Sequence, residues 1–374
     1  MRFLTLAQFH QHLSNHPTHF KSYKTFVSTA RVRLLDGEIK TLAEYRAEHP
    51  YIKESDLHNI YDHILSHEDY ITKFYNTALR VTSDHMIDPK TTIPMVLTNI
   101  NNGMERNYKN IVRNMFWREI LRDTKTVFKG RPYIAALEDL YKHNIINHNL
   151  LARAALLSIA NGQIGNVFAF YFFRSSIMNP YVVYSLQKRT LKAHRVFTPT
   201  LGWGSYFHGF VAGGIQEYVG VDVIPTVCKK VGQYAAEYHP EVKTQIFCQP
   251  SESLLQSSKF LDKYRSYFDT VFCSPPYYEL ELYSGGKQST NEYPTYEAWL
   301  EGYWRATVQV CHTVIKTGGT FCYILGDYVV GHGNEYPLLA DMGKIMREVG
   351  FRYKRTIPML NVEESSEKIV FFVK

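Results

Sequence analysis

The chain has 374 residues, 45% of them hydrophobic and 14% aromatic, so it is long enough for two domains with ordinary buried cores. The net charge of +7 suits a polyanionic partner, because contacts to phosphate are electrostatic and independent of sequence. The five cysteines are odd in number and form no Cys-x-x-Cys pair, which excludes a disulfide scaffold and indicates reduced, buried thiols. We therefore expect an intracellular protein, in the cytoplasm or nucleoid, or inside a host cell if it is viral.

Neither a secretory leader nor a membrane span is predicted. The first residues carry no long apolar stretch before His and Gln occur. The longest apolar zone, residues 150–173, is interrupted by Arg153, Asn161 and other polar side chains. We expect no membrane partner.

Residues 1–170 carry helical patterns and predict a mainly helical accessory domain for target recognition, dimerisation or both. Residues 56–65 present one apolar face, residues 106–124 predict a second helix, and Pro132 opens a third. No histidine pair shows a convincing ligand spacing, so no metal site is predicted. The protein is expected to be a monomer or a homodimer. Basic residues interleaved with aromatics fit either a nucleic-acid face or a solvated helix face: Lys21, Lys24, Arg31, Arg33, Lys109, Arg113, Arg118 and Arg122.

Residues 171–374 alternate between strand and helix patterns and predict a second, α/β domain. The first five strands follow the βαβ pattern of a parallel sheet, and the last two follow each other closely, as a closing antiparallel hairpin does. The predicted strands lie near 195–199, 217–221, 244–247, 270–273, 320–324, 351–359 and 369–373.

A candidate cofactor site follows the first two of these strands. Gly202 and Gly204 form a turn where a ligand can approach the backbone, and Asp222 ends the next strand, where an acid can hold ribose hydroxyls. A dinucleotide motif would place a third glycine at Phe207, so the pattern favours an adenosine ligand without a pyrophosphate. The other candidate cofactor residues at these turns and after the third strand are Pro199, Thr200, Trp203, Ser251 and Glu252.

A second motif follows the fourth strand and predicts the reaction site. Ser274, Pro275, Pro276 and Tyr277 combine polar acceptors, a fixed backbone without amide donors, and an aromatic face. These groups suit a planar ring that bears an amine. Cys273 precedes the motif within the strand, so it is interpreted as buried packing rather than as a nucleophile. Residues 279–294 either close over a substrate or form a plain surface loop.

Together, these motifs resemble those of the class I S-adenosylmethionine-dependent amino-methyltransferases that modify nucleobases. The family motif Asp/Asn/Ser-Pro-Pro-Tyr/Phe/Trp matches residues 274–277, and its Pro-x-x-Gly-x-Gly turn matches residues 199–204. The resemblance covers about residues 174–374 and implies a Rossmann-like sheet, S-adenosyl-L-methionine as cofactor, and Asp222 as its ribose ligand. It also suggests a cofactor segment around Asn179. Thr198 departs from the family, which usually has an acid before the proline.

The resemblance implies methyl transfer to an exocyclic amine of a DNA base, as in restriction–modification systems. The serine form of the motif favours cytosine N4 over adenine N6. The alternatives are an RNA or protein methyltransferase of the same fold, and a catalytically inactive nucleic-acid-binding scaffold.

Overall fold

The computed structural model describes residues 2–14, 22–66, 79, 81, 108–126, 131–172, 174–330, 334–359 and 367–374. The chain divides into two compact units: one contains Val81–Phe116 and Ser176–Lys374, and the other contains Arg2–Arg80 and Trp117–Ser175. The single helix predicted over residues 106–124 is interrupted. An α-helix ends at Met115, and a π-helical turn follows at Glu119–Asp123.

The first unit is built on a seven-stranded sheet with the spatial order β3-β2-β1-β4-β5-β7-β6. Strand β7 runs antiparallel to both of its neighbours, and the other strand pairs from β3 to β5 are parallel. This order, with its single reversed strand, is that of the Rossmann-like class I methyltransferase sheet, and it confirms the predicted fold class. The strands are β1 Arg195–Thr198, β2 Glu217–Asp222, β3 Lys243–Cys248, β4 Phe268–Cys273, β5 Ile315–Leu325, β6 Arg352–Pro358 and β7 Lys368–Val373.

The central strands form because they are runs of β-branched and aromatic residues that are buried on both faces. Phe197 of β1, Val219 of β2 and Val271 of β4 are each fully buried in one hydrophobic cluster. Strand β3 lies at the edge of the sheet and is only partly covered. Cys248 at its end is exposed, so the expectation of five buried thiols is wrong at this position, while the other four cysteines are buried and all five are free.

Helices fill the crossovers between the strands, as a parallel sheet requires. The labelled helices are α1 Pro180–Leu186, α2 Ser205–Ala212, α3 Pro225–Tyr238, α4 Ser258–Tyr264, α5 Ala306–Val314 and α6 Leu338–Val349. The other elements of this unit are Tyr108–Met115, Gln187–Leu191, Gly202–Gly204, Glu252–Gln256, Glu281–Leu282, Ser289–Glu292, Tyr296–Trp299, Leu300–Arg305, Tyr328–Val330 and Asn334–Tyr336.

The second unit is mainly helical and also contains a small sheet that the sequence patterns did not predict. Arg31–Arg33 pairs antiparallel with Ile39–Thr41 and parallel with Ile145–Asn147. The apolar face predicted within residues 56–65 is buried. The other elements are Leu6–Ser14, Tyr23–Thr29, Leu42–Glu48, Glu54–Leu65, Glu119–Asp123, Lys125–Thr126, Tyr133–His143, His148–Leu151, Arg153–Ala160 and Ile164–Tyr171.

Some of the basic residues proposed for a nucleic-acid face are used inside this unit. The Arg33 guanidinium donates to both carboxylate oxygens of Asp139, at 2.8 and 3.1 Å, and Asp139 is itself buried. Arg33 therefore helps to hold the helix Tyr133–His143 against the small sheet. Lys24 and Arg31 are exposed, and Lys21 lies outside the described residues. Among the described residues, no helix is long and apolar enough to cross a membrane, and no group of three or more His, Cys, Asp or Glu could hold a metal ion.

Candidate active site

The turn between β1 and α2 has a left-handed backbone at three consecutive residues. The φ angles are +52° at Gly202, +57° at Trp203 and +78° at Gly204. A side chain at Gly202 is also excluded by packing, since its Cβ would lie 2.5 Å from the hydroxyl oxygen of Tyr206. The buried Trp203 ring packs against Phe116 and Tyr283, with centroids 5.8 and 5.7 Å away. The turn is thus fixed by the molecule's own side chains.

Asp222 joins the end of β2 to this turn. Its Oδ2 accepts a hydrogen bond from the Leu201 N–H at 3.1 Å, and its Oδ1 accepts one from the Ile224 N–H at 3.0 Å. Burial raises the pKa of the carboxyl group, and these backbone donors oppose that shift. The structure therefore brings Asp222 next to the predicted glycine turn, which is the arrangement the sequence pattern anticipated.

The residues after β3 have partners within the protein. Ser251 is buried, and its hydroxyl lies 3.0 Å from that of Thr307 on α5, within hydrogen-bond distance. Burial raises the pKa of the Glu252 carboxyl, and the nearby negative charge of Glu292 adds to this shift. The Glu252 carboxyl is therefore harder to ionise than a free one, and the Ser251 hydroxyl lies against α5.

The Ser-Pro-Pro-Tyr segment leaves the end of β4, directly beside β1 in the sheet. Ser274 donates its N–H to the hydroxyl of Tyr206 at 2.9 Å, and that hydroxyl donates to the Ser274 carbonyl at 3.2 Å. Pro275 is buried, whereas Ser274 and Pro276 are partly exposed. Cys273 is fully buried and burial raises the pKa of its thiol, which confirms its interpretation as a packing residue.

Tyr277 is fixed at its hydroxyl end by the two neighbouring strands. Its hydroxyl accepts from the Gly326 N–H at 2.9 Å, just after β5, and donates to Glu367 Oε1 at 3.1 Å, just before β7. Burial, and then the nearby Glu367 carboxyl, raise the pKa of the phenol, so it remains protonated and a donor. The ring is partly exposed and lies 6.1 Å from the ring of Tyr328.

Residues 279–294, predicted as either a closing segment or a plain loop, pack against the glycine turn and the end of β2. A Cβ at Gly286 would lie 2.5 Å from the carbonyl carbon of Val223, which follows Asp222 directly. The partly buried carboxyl of Glu281 accepts from the Ser176 N–H at 2.8 Å and from the Tyr283 hydroxyl at 2.5 Å. The segment is therefore anchored, and it includes a short helix at Ser289–Glu292.

Two further positions in the predicted cofactor region, Asn179 and Thr198, have structural partners. Asn179 caps α1, because its side-chain oxygen accepts from the Tyr181 N–H at 3.0 Å. Thr198 stands where the family usually has an acid, and its hydroxyl lies 2.7 Å from that of Tyr218, with both side chains buried. Pro199 is buried and Thr200 is partly exposed beside the turn.

Sequence reasoning missed three residues that hold the site together: Tyr206, Glu367 and Glu281. Each one contacts a partner far away in the chain, at separations of 68, 90 and 105 residues. A weak local signal existed for Tyr206 alone, since it lies four residues after Gly202 in the first turn of a helix. Glu367 and Glu281 carry no local pattern that distinguishes them from surface acids.

No known protein family and no curated protein matches this sequence. Several solved structures align with about half of the chain. One is the Burkholderia thailandensis 1,6-didemethyltoxoflavin-N1-methyltransferase with bound 1,6-didemethyltoxoflavin and S-adenosylhomocysteine, at 14% identity over 51% of this chain and 76% of that chain, with a TM-score of 0.34. Another is Aeropyrum pernix fibrillarin with bound S-adenosyl-L-methionine, at 10% identity, 48% and 66% coverage, and a TM-score of 0.33. A TehB-like methyltransferase from Corynebacterium glutamicum aligns at 12% identity, 59% and 100% coverage, and a TM-score of 0.34. The fold assignment comes from the strand order of the sheet itself.

Proposed function

We propose that this protein transfers a methyl group from S-adenosyl-L-methionine to an exocyclic amine of a DNA base, with cytosine N4 favoured over adenine N6. The observation that carries the proposal is the position of Ser274–Tyr277 at the carboxyl end of β4, beside the glycine turn of β1. Ligands of open α/β sheets bind at this edge, where a cofactor and a base would meet. Direct transfer requires that proximity.

The residues at this edge fit an adenosine-containing cofactor. The Asp222 carboxylate accepts backbone hydrogen bonds, including those from Leu201 and Ile224, and its two oxygens offer about four lone-pair sites, so acceptor capacity remains for a ribose hydroxyl. The Ser205 hydroxyl, next to Gly204, is buried and has no hydrogen-bond partner among the residues that the structure describes. A buried polar atom of this kind is expected where a ligand completes the site. When bound, the cofactor would supply a methyl group on a positively charged sulfur, and a nitrogen lone pair can attack that methyl group and displace the sulfur as a neutral thioether.

The protein's own residues would position the amine for that displacement. An exocyclic amine is a weak nucleophile because its lone pair is delocalised into the ring. Ser274 Oγ and the Pro275 carbonyl would accept its N–H groups and favour a pyramidal nitrogen, and the Tyr277 ring would stack on the base. The new nitrogen–carbon bond would form as the carbon–sulfur bond breaks, the sulfur would leave as a neutral thioether, and the nitrogen would pass one proton to solvent by way of its hydrogen-bond acceptor. Catalysis would rest on positioning and electrostatics. A base in a duplex must first be flipped out, at a cost of a few kcal/mol.

The helical unit would contribute DNA binding, target recognition or dimerisation. Its exposed basic side chains, such as Lys24 and Arg31, could contact phosphates, which suits the net charge of +7. Arg33 is excluded from this role because it pairs with Asp139. Binding to DNA should therefore weaken steeply as salt rises.

The test is a methyl-transfer assay with radiolabelled S-adenosyl-L-methionine on DNA, RNA and protein substrates, followed by mass spectrometry of the nucleosides. We expect N4-methylcytosine in DNA, or N6-methyladenine as the second product. Label found only in RNA would move the substrate class to RNA. Label found only in protein would contradict the nucleic-acid proposal. Failure to bind the cofactor in calorimetry would support an inactive scaffold.

A further inference from the structure

The main chain of Ser274 is held by a side chain rather than by a neighbouring strand. Strand β4 ends at Cys273, and Pro275 and Pro276 have no N–H groups, so the Ser274 N–H is the last donor before Tyr277. Its partner is the hydroxyl of Tyr206, which also donates back to the Ser274 carbonyl. One phenol therefore satisfies both polar groups of the residue that begins the motif.

Tyr206 itself comes from the other half of the site. It lies in the first turn of α2, immediately after the glycine turn, and its ring fills the space that a side chain at Gly202 would need. Its ring also meets Phe272 edge-on at 5.0 Å, and the residue is only 1% exposed. The ring is thus fixed between β1 and β4. Burial raises the pKa of the phenol, so it keeps the proton that it donates.

From this geometry we infer that Tyr206 is a positioning residue for methyl transfer: it fixes the main chain of Ser274 relative to the glycine turn, and so aligns the acceptor amine with the cofactor. The inference rests on the proposed function and adds a residue that neither sequence motif contains. It also gives Gly202 a second role, since the glycine leaves room for the tyrosine ring. Tyr206 makes no contact with the reacting atoms in this scheme and acts through Ser274.

The test compares Tyr206→Phe with a matched control, Tyr264→Phe. Tyr264 is also a buried tyrosine on a helix of the same unit. Its hydroxyl donates to Gln245 Oε1 at 2.6 Å, away from the motif. Both variants lose one hydroxyl, but only the first releases Ser274. Three quantities are measured: amide hydrogen exchange in the peptide that spans β4 and the motif, the affinity for S-adenosylhomocysteine by calorimetry, and kcat at saturating cofactor and substrate.

For Tyr206→Phe we expect faster exchange of the Ser274 amide and a kcat lowered on the order of 10- to 100-fold, because small misplacements of a reacting group are costly. We expect the dissociation constant of S-adenosylhomocysteine to change by less than about threefold, since binding and transfer are separable. Tyr264→Phe should leave the exchange of Ser274 and kcat near their wild-type values. If Tyr206→Phe does not fold, Gly202→Ala serves instead, because it retains the hydroxyl but displaces the ring. Since Gly202 also belongs to the cofactor turn, the only readout for this variant is the exchange of the Ser274 amide, which should become faster.

The outcomes separate the two proposals. Wild-type kcat in Tyr206→Phe would overturn the positioning role, and so would unchanged exchange at Ser274. Equal losses of kcat in both tyrosine variants would show a general effect of core tyrosines and would also overturn it. If the wild-type protein transfers no methyl group to any substrate, the proposed function fails, while the exchange measurement still decides whether Tyr206 holds Ser274.

Discussion

The contact of Gly286 with the end of β2 can be tested with a pair of neighbouring alanine substitutions. Gly285 and Gly286 both have a left-handed backbone, with φ of +89° and +70°, so an alanine at either position carries a similar strain of about 1 kcal/mol. The two positions differ in the space available for a Cβ atom. A Cβ at Gly285 has no heavy atom within 4 Å, whereas a Cβ at Gly286 would overlap the backbone carbonyl of Val223. A backbone carbonyl cannot rotate away, so Gly286→Ala must move the segment off β2.

The magnitude follows from the contacts that would be lost. Moving the segment releases the Tyr283 ring from Trp203, an aromatic contact worth about 0.5–1.5 kcal/mol, in addition to the strain common to both variants. The shared strain cancels, so we expect Gly286→Ala to favour local opening by about 0.5–1.5 kcal/mol more than Gly285→Ala, which corresponds to a roughly 2- to 13-fold difference in the open population.

Trypsin provides the assay, since Lys287 is exposed and directly follows Gly286. Cleavage after Lys287 should be faster in Gly286→Ala than in Gly285→Ala by that factor, provided that opening is fast relative to cleavage. Peptides with each substitution correct for the intrinsic cleavage rates. Because Val223 adjoins Asp222, association of S-adenosylhomocysteine should also be faster in Gly286→Ala. Equal cleavage rates in the two proteins would refute the packing of this segment against β2.

Three further predictions concern the site residues. Tyr277→Ala should abolish methyl transfer but still bind S-adenosylhomocysteine, and full activity of this variant would contradict the stacking role. Tyr277→Phe keeps the ring but loses the hydrogen bonds to Gly326 and Glu367, so it should lower kcat by about tenfold, as expected for about 1–2 kcal/mol of lost hydrogen bonding. Asp222→Asn keeps a single acceptor oxygen, so it should lose the hydrogen bond from either Leu201 or Ile224. The dissociation constant of S-adenosylhomocysteine, measured by calorimetry, should rise at least about tenfold, and an unaltered value would argue against the ribose role. Burial raises the pKa of the Glu281 carboxyl above 4.5, so its ionisation destabilises the folded protein. As the pH rises above 4.5, the free energy of unfolding of the wild type should therefore fall relative to that of Glu281→Gln. Denaturant titrations at several pH values measure both, and the same pH dependence in the two proteins would contradict this prediction.

Much of the fold was encoded locally. The buried strands of the large sheet contain runs of β-branched and aromatic residues, and such runs can be recognised without knowing their partners. The alternation of strands with helices then implied parallel pairing, which the structure confirms from β3 through β5. The two motifs also follow from chain order, because the carboxyl ends of parallel strands meet at one edge of the sheet.

The tertiary structure decided which side chains hold that edge together. The insertion of β7 between β5 and β6 places Glu367 next to Tyr277, and the packing of α2 places Tyr206 under Ser274. It also gave Ser251 and Asn179 structural partners, where the sequence had suggested ligand contacts. These contacts join residues that are not periodic neighbours in the chain, or they depend on how a helix packs on the sheet. They therefore leave no repeating pattern in the sequence. The sequence determined by itself where the two motifs would meet, whereas only the packed structure determined how their backbones are held in position.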